Sequence, residues 1–207
     1  AAGKQSHQVG HWQQAPDPLA YARDGTRLYI RVSEDEQRKI YVAMVDGTTV
    51  HTKASLLGHG SNTAPIELPD GRLLYMRASL HSPNDAYVFA NGTSTQLTNF
   101  FRSEPPLRDV DLGPEPEQFT YTGSDNVTMH GWIFRPPSYE EDVSLGHKLP
   151  LAVLLHGGPE GDWANDWSVR WNPAVFAAAG FMVVTLDPSG STGFGQAMVD
   201  GVLEHWG

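Results

Sequence analysis

The stretch Leu-Pro-Leu-Ala-Val-Leu-Leu-His-Gly-Gly-Pro, at positions 149–159, decides how this chain is interpreted. Its first seven residues are almost all apolar, which is typical of a strand buried on both faces of a parallel sheet. Two glycines follow, and they let the main chain approach a substrate closely because glycine has no Cβ. Backbone N–H groups in such a turn can stabilise the negative charge that develops on a carbonyl oxygen during acyl transfer. The main chain of Gly157 and Gly158 is therefore a candidate oxyanion hole; the alternative is an ordinary glycine turn after a strand.

A strand–helix–strand pattern continues from this turn. Residues 171–180 contain an alanine-rich segment and end at Gly180, as expected of a helix closed by glycine. Residues 181–187 are a second apolar run, and a further helix is predicted from about residue 194 to residue 206. Two apolar strands joined by a helix are typical of a βαβ unit in a parallel sheet. The second half of the chain is therefore predicted to begin an α/β domain.

The first half contains a repeat with a period of 46 residues. Two Asp-Gly pairs, at 24–25 and 70–71, are separated by this interval, and so are Tyr41 and Tyr87. Asp-Gly and Asn-Gly pairs suit tight hairpins because both central positions need a positive φ. Two hairpins per period give four strands, which predicts blades of a β-propeller; a β-sandwich with coincident turns is the alternative. Since a propeller needs at least about four blades, further blades are expected upstream of this chain.

A segment rich in proline and acidic residues, 104–117, separates the two patterns and is predicted to be a linker. We therefore predict the closing blades of a β-propeller in residues 1–103 and the N-terminal portion of an α/β-hydrolase fold in residues 118–207. The glycine turn supports the second assignment, because α/β-hydrolases take one oxyanion donor from the loop after the third strand, often marked by His-Gly-Gly.

The composition argues against several classes of function. The chain has 207 residues and a formal net charge of -10, which argues against nucleic acid and anionic membranes as partners. It has no cysteine, so disulfides, thiol catalysis and cysteine-ligated zinc are excluded. No apolar run reaches the roughly 20 residues of a membrane-spanning helix. His7 and His11 have a helical metal-ligand spacing without a matching carboxylate, so we predict no metal site and no cofactor.

Three segments together resemble the prolyl oligopeptidase family of serine peptidases. They are residues 154–159 (LLHGGP), residues 171–181 (WNPAVFAAAGF) and residues 187–196 (DPSGSTGFGQ). The likeness is greatest to the acylaminoacyl- and dipeptidyl-peptidases of this family, which commonly carry arginine where this chain has Ser189 and tyrosine where it has Phe194. Members of the family place a β-propeller before the hydrolase domain, in agreement with the repeat.

The resemblance implies peptide-bond hydrolysis by a Ser-Asp-His triad through an acyl-enzyme, with the serine in a Gly-x-Ser-x-Gly elbow. This sequence contains no such elbow. The Gly-Ser-Thr-Gly segment at 190–193 has the wrong spacing and lies one strand too early, so we interpret Ser191 as part of a structural loop. The triad is therefore expected beyond residue 207, in a longer protein of which this chain, inactive alone, is a piece.

We therefore predict a serine exopeptidase that releases dipeptides from the free amino termini of peptide substrates, with the propeller admitting unfolded peptides and excluding folded proteins. An acylaminoacyl-peptidase, a carboxylesterase and a catalytically inactive propeller–hydrolase that only binds are the alternatives. A carboxylesterase would not need the upstream repeat. The resemblance to secreted fungal members of the family further implies an extracellular enzyme.

Five residues outside the glycine pair are candidates for binding or modification. His156, Asp162 and Trp167 are predicted to line a substrate cleft; the alternative for the last two is a capped loop. His156 is not expected to act as general base, because the triad histidine comes last in this fold. Asn91 and Asn126 begin Asn-x-Thr sequons and are predicted glycosylation sites.

Overall fold

The computed structural model describes residues 16–46, 49–103, 105 and 107–204. These residues form one sheet of eight strands, a second sheet of four strands, and short helices. The two sheets follow each other along the chain, on either side of the proline-rich segment. His7 and His11 lie outside the described residues.

The first sheet consists of two four-stranded antiparallel meanders. The strands of the first are β1 (Pro16–Tyr21), β2 (Arg27–Glu34), β3 (Gln37–Asp46) and β4 (Thr49–Leu57); those of the second are β5 (Ser61–Glu67), β6 (Leu73–Ser79), β7 (Ser82–Ala90) and β8 (Thr93–Gln96). One parallel bridge, between Arg38 and Ser61, joins the two. Each meander has the four strands that the sequence repeat predicts, while their assignment as propeller blades stays a prediction.

The tight turns of the meanders have the backbone geometry that their sequences predict. Gly25 and Gly71, in the two Asp-Gly turns, have φ of 72° and 85°. Asn91 and Gly92, between β7 and β8, have φ of 51° and 78°, so both central residues are left-handed as a type I′ turn requires. The hairpins at these positions are therefore confirmed. Gly47, which belongs to the Asp-Gly pair predicted to form a further turn, lies outside the residues that the structure describes.

A shared apolar core fixes the two meanders against each other. Tyr29, Ile40 and Leu57 of the first meander pack in one cluster with Leu73 and Tyr75 of the second, and all five side chains are buried. Removing such aromatic and aliphatic surface from water is the main stabilising contribution in a core of this kind. The two meanders therefore form one packed unit, although a single bridge joins their strands.

The second sheet has the strand order β11-β12-β10-β9. Its strands are β9 (Glu117–Thr122), β10 (Thr128–Phe134), β11 (Leu151–Leu155) and β12 (Met182–Asp187); the helices are α1 (Phe100–Ser103), α2 (Tyr139–Ser144), α3 (Pro173–Ala178) and α4 (Gln196–Asp200). β11 and β12 are parallel and are connected through α3, which confirms the predicted βαβ unit. The other two strand pairs are antiparallel.

Local sequence signals set the ends of α3. The Asn172 side chain accepts a hydrogen bond from the Ala174 N–H at 3.0 Å, and a proline occupies the first helical position. Gly180, with φ of 95°, follows the last turn. The helix is therefore shorter than the predicted segment 171–180. α4 likewise covers a small part of the helix predicted over 194–206, whose last two residues lie outside the described part of the chain.

The prediction that the apolar strand is buried on both faces is wrong for β11. On one face Leu151, Val153 and Leu155 are 62%, 50% and 64% exposed. On the other face Ala152 and Leu154 pack against the core that includes α3. The physical reason is that α3 covers a single face of this strand, which lies at the edge of the described sheet.

The two sheets meet at the turn between β2 and β3, and we call residues 34–38 the junction hairpin. Asp35 and Glu36 form its two-residue turn, with φ of 52° and 59°. The Asp35 N–H donates to the carbonyl oxygen of Gly193 at 3.1 Å, and the Glu36 carbonyl oxygen accepts from the Asn165 N–H at 2.6 Å. The main chain of the junction hairpin thus contacts two loops of the second sheet.

Side chains strengthen this junction. The Arg38 guanidinium donates to both carboxylate oxygens of Asp162 at 2.6 and 2.7 Å. The Asn165 amide donates to Gln37 Oε1 at 3.0 Å, and its oxygen accepts the Leu80 N–H at 3.0 Å. The loop that follows β11 is thereby attached to both meanders.

The ion pair at the junction should contribute more to stability than an exposed pair of the same length. Arg38→Ala leaves the Asp162 carboxylate, which is 2% exposed, without its cation, so the free energy of unfolding should fall by about 3 kcal/mol. The control is Arg31→Ala, because Arg31 also lies 2.6 Å from its partner but Asp17 is 56% exposed; we expect a loss under about 1 kcal/mol. Denaturant unfolding of both variants measures the difference, and equal losses would contradict the role of the junction.

Candidate functional site

The site is built on the glycine loop, which we define as residues 156–161, directly after β11. It lies at the carboxyl end of the parallel pair β11 and β12, where ligands bind in open α/β sheets. Gly157 and Gly158 are exposed, and neither N–H donates a hydrogen bond to another described residue. A Cβ on Gly158 would lie 2.5 Å from the Glu160 carbonyl oxygen, so only glycine fits there. The loop therefore presents two backbone donors to its surroundings.

A cavity of about 610 Å³ lies beside Gly157, within the range of roughly 300–1,000 Å³ usual for small-ligand sites. His156, Asp162 and Trp167, the residues predicted to line a cleft, all lie in its wall. The Trp167 ring packs edge-on against Phe101, with centroids 5.3 Å apart. Other parts of the wall are contributed by Arg38, Leu80, Leu154, Trp163 and Trp171. The wall is mostly apolar and aromatic, and Arg38, Asp162 and Asp166 contribute charged groups to it.

Asp162 is the least available of the predicted cleft residues. Both of its carboxylate oxygens accept hydrogen bonds from Arg38, and one also accepts from the Thr192 hydroxyl at 3.2 Å. Its side chain is almost completely buried. Asp162 therefore attaches the loop to the junction hairpin, and the Arg38 guanidinium, which is partly exposed, offsets its charge.

The His156 ring, in the wall of the cavity, is held by three contacts within the protein. Its Nε2 lies 2.9 Å from the Ser191 hydroxyl and 3.2 Å from Asp187 Oδ1, and its Nδ1 lies 3.2 Å from the Gly157 carbonyl oxygen. Burial disfavours the imidazolium, but the Asp187 carboxylate and the Gly157 carbonyl outweigh burial and raise the pKa of His156 above its usual value. His156 therefore fixes the start of the glycine loop.

Ser191 is not placed to act as a nucleophile. It is fully buried, and its hydroxyl donates to the Pro188 carbonyl oxygen at 2.6 Å. Its N–H donates to the same carbonyl at 3.0 Å. These contacts close a tight turn after β12, as expected for a structural loop.

Sequence reasoning missed two buried carboxyls behind the glycine loop, Glu36 and Asp187. Asp187, the last residue of β12, is fully buried and accepts the Trp163 N–H at 2.8 Å. Glu36 is 2% exposed and accepts from the Gln118 side-chain amide at 2.6 Å. Burial, opposed by the Gln118 hydrogen bond and reinforced by Asp187, raises the pKa of Glu36 to about 8. The position of Asp187 at the end of an apolar strand could have identified it from the sequence, whereas no motif marks Glu36.

The remaining predicted sites are surface positions. Asn91 and Asn126 are both exposed and have left-handed backbone conformations. Their glycosylation stays a prediction. Within the described residues no group of three or more His, Cys, Asp or Glu is arranged to hold a metal ion. None of the described helices is long and apolar enough to span a membrane.

Comparison with curated proteins identifies homologues along nearly the whole chain. The chain is 30% identical over 201 residues to a probable dipeptidyl-peptidase 5 of Aspergillus clavatus, covering 96% of this chain and 27% of that protein. Dipeptidyl-peptidase 5 of Aspergillus fumigatus gives the same figures. Dipeptidyl-peptidase 5 of Arthroderma otae is 28% identical over 199 residues, which cover 96% of this chain and 27% of that protein. This chain thus spans about a quarter of the length of the relatives it matches. No protein-family model matches it.

Solved structures show the same relationship in the fold. An acylaminoacyl peptidase in complex with Z-Gly-Gly-Phe-chloromethyl ketone superposes with a TM-score of 0.70 at 22% identity, covering 92% of this chain and 28% of that one. The acylaminoacyl peptidase of Pyrococcus horikoshii gives 0.68 at 24% identity, covering 86% and 26%. Dipeptidyl peptidase 4 of Porphyromonas gingivalis gives 0.64 at 16% identity, covering 94% and 27%.

The match to curated dipeptidyl-peptidases extends through both sheets, and the solved peptidases share the same succession of strands and helices over most of this chain. The chain is a homologue of the dipeptidyl-peptidase 5 proteins, and the resemblance to the prolyl oligopeptidase family that its sequence indicates is confirmed.

Proposed function

We propose that the protein carrying this chain is a serine exopeptidase that releases dipeptides from the free amino termini of peptides. One observation carries the proposal. The N–H groups of Gly157 and Gly158 are unpaired among the described residues, and Gly157 lies in the wall of a cavity at the carboxyl end of β11. The names of the homologues support peptide hydrolysis as the reaction class.

The chemistry of acyl transfer explains why such donors matter. The triad histidine takes the proton of the serine hydroxyl as the serine oxygen forms a bond to the substrate carbonyl carbon, and the π electrons of the carbonyl move onto its oxygen. The glycine loop would donate its N–H groups to this oxyanion. The electrons then return, the C–N bond breaks, and the amine leaves with a proton from the triad histidine. In this proposal the triad comes from the rest of the protein, because no Gly-x-Ser-x-Gly occurs in this chain.

The proposal includes the domain organisation expected from the sequence. The two meanders would be closing blades of a β-propeller within residues 1–103, followed by a linker at 104–117. Residues 118–207 would be the first part of an α/β-hydrolase domain. Two four-stranded units at a 46-residue period, followed by a mixed sheet with a βαβ unit, support this order. The propeller would limit access to unfolded peptides.

An acylaminoacyl-peptidase is the second candidate function. Two of the structural neighbours carry that name, and the same oxyanion donors would serve a substrate whose amino terminus is blocked. A carboxylesterase and a catalytically inactive binding protein share the glycine loop as well. The three enzymes differ in their substrates and the binding protein in having no turnover, so the geometry of the donors does not separate them.

We also propose that the protein is extracellular, because its sequence resembles secreted fungal members of the family. Asn91 and Asn126 are exposed, so a glycosyltransferase would reach both sequons. Peptides are the expected partners.

Loss of one backbone donor should affect turnover more than binding. In the complete protein, Gly157→Pro removes the N–H, so kcat should fall about 10²- to 10³-fold with little change in KM. Gly157→Ala keeps the N–H, and its Cβ would meet no atom within 4 Å, so its loss should be much smaller. Steady-state kinetics measure both variants, with the melting temperature as a check of folding. Equal losses in the two variants would contradict a role for this N–H.

Substrate preference tests the reaction itself. We expect the complete protein to hydrolyse dipeptide anilides with a free amino terminus faster than the acetylated forms, and a serine-directed reagent should abolish turnover. The ratio of the two kcat/KM values decides the outcome. A higher value for the acetylated form would replace the proposal with an acylaminoacyl-peptidase, cleavage of simple esters alone would indicate a carboxylesterase, and no turnover would indicate a binding protein.

A further inference from the structure

Two buried carboxyl groups from different sheets lie within hydrogen-bonding reach of each other. Glu36 belongs to the junction hairpin and Asp187 ends β12, and both are almost completely buried. One oxygen of each carboxyl group accepts a hydrogen bond. Glu36 Oε2 accepts from the Gln118 amide, and Asp187 Oδ1 accepts from the Trp163 N–H. The other oxygens, Glu36 Oε1 and Asp187 Oδ2, have no hydrogen-bond partner among the described residues. Each member of this contacting pair of carboxyl groups therefore has one buried oxygen without a donor among the described residues.

A single proton resolves this arrangement. Two adjacent carboxylates that are both ionised repel each other, and burial prevents water from reducing the repulsion. If one carboxyl is protonated, its O–H donates to the other and both unpartnered oxygens are satisfied. The pair then carries one negative charge, which the nearby His156 ring stabilises through its 3.2 Å contact with Asp187.

We propose that Glu36 and Asp187 share one proton, and that this carboxyl pair holds the glycine loop in place on the junction hairpin. Asp187 contacts the His156 ring at the start of the loop and the Trp163 N–H just after the loop, and Glu36 is its contact on the junction hairpin. Glu36 is thus a positioning residue for the oxyanion donors. This role in catalysis rests on the proposed function, whereas the shared proton does not.

The proton belongs mainly to Glu36. Asp187 Oδ1 accepts the Trp163 N–H and lies 3.2 Å from the His156 ring. Glu36 has one amide donor, and its burial raises its pKa to about 8. The charged and titratable groups that face the pair from the surrounding elements are Arg38 on β3, Tyr121 on β9, His130 on β10, and His156 and Asp162 on the loop after β11.

The shared proton makes the junction sensitive to alkaline pH. A glutamate has an ordinary pKa of 4.5, so between pH 4.5 and about 8 the folded protein binds more protons at Glu36 than the unfolded chain does. Stability therefore falls as the pH rises through this window and stops falling above it. Once both carboxyls are ionised, repulsion separates the junction hairpin from the glycine loop.

The first test uses the complete protein and does not depend on activity. Glu36→Gln replaces the shared proton with an amide N–H that stays at every pH, so its melting temperature should decline less than that of the wild type between pH 5 and pH 9. The C=O infrared band of a protonated carboxylic acid should disappear near pH 8 in the wild type and be missing in this variant. Glu67→Gln is the control, because Glu67 is a buried glutamate that pairs with Arg27 and Tyr29 instead. Glu67→Gln should keep the wild-type dependence of melting temperature on pH. Parallel curves of melting temperature against pH for all three proteins would overturn the proposal.

The second test measures the positioning role. Glu36 is half titrated near pH 8. The kcat of the wild type, divided by the kcat of Glu36→Gln at the same pH, should therefore be about ten times lower at pH 9 than at pH 7. Glu36→Ala should lose kcat at both pH values with a smaller change in KM, and Gln should restore it. If the protein has no peptidase activity, the proposed function fails and the first test still decides the shared proton. If activity is present and the two pH profiles coincide, the positioning role fails.

Discussion

The attachment of the loop after β11 to the junction hairpin is the constraint on which the rest of the site depends. Arg38 binds Asp162 through two charge-assisted hydrogen bonds, and Asn165 contacts both meanders. These bonds are directional, so they fix an orientation that apolar packing alone leaves adjustable. The glycine loop therefore takes its position from the first sheet as well as from the strand that precedes it.

This attachment explains how the carboxylates nearest the loop are held. The buried Asp162 and Asp187 carboxylates face Arg38 and His156 respectively. Arg38, Asp162 and Asp166 also line the cavity, whose remaining wall is mostly apolar and aromatic. Because both oxygens of Asp162 are bound by Arg38, its charge is offset within the protein before any ligand enters the cavity.

The sequence predicts the elements that local interactions determine. The Asn91-Gly92 turn, the end of α3 at Gly180 and the βαβ unit follow from neighbouring residues, and the structure contains all of them. The burial of β11 was predicted wrongly, because cover on each face of a strand depends on elements distant in sequence. The contact between Arg38 and Asp162 spans 124 positions and has no local signature. The position of Glu36 also has no local signature, because its turn lacks the glycine that marks most type I′ hairpins.

The residue types Ser191, His156 and Asp187 occur together in the second sheet, yet their geometry excludes a catalytic triad. A triad histidine binds its carboxylate through one ring nitrogen and its nucleophile through the other, so that a proton can pass between them. Here Nε2 alone faces both the Ser191 hydroxyl and the Asp187 carboxylate, while Nδ1 faces the Gly157 carbonyl oxygen. The hydroxyl is also committed to the Pro188 carbonyl and closed off from solvent. These three residues therefore hold the loops around the end of β12 and do not form a catalytic triad.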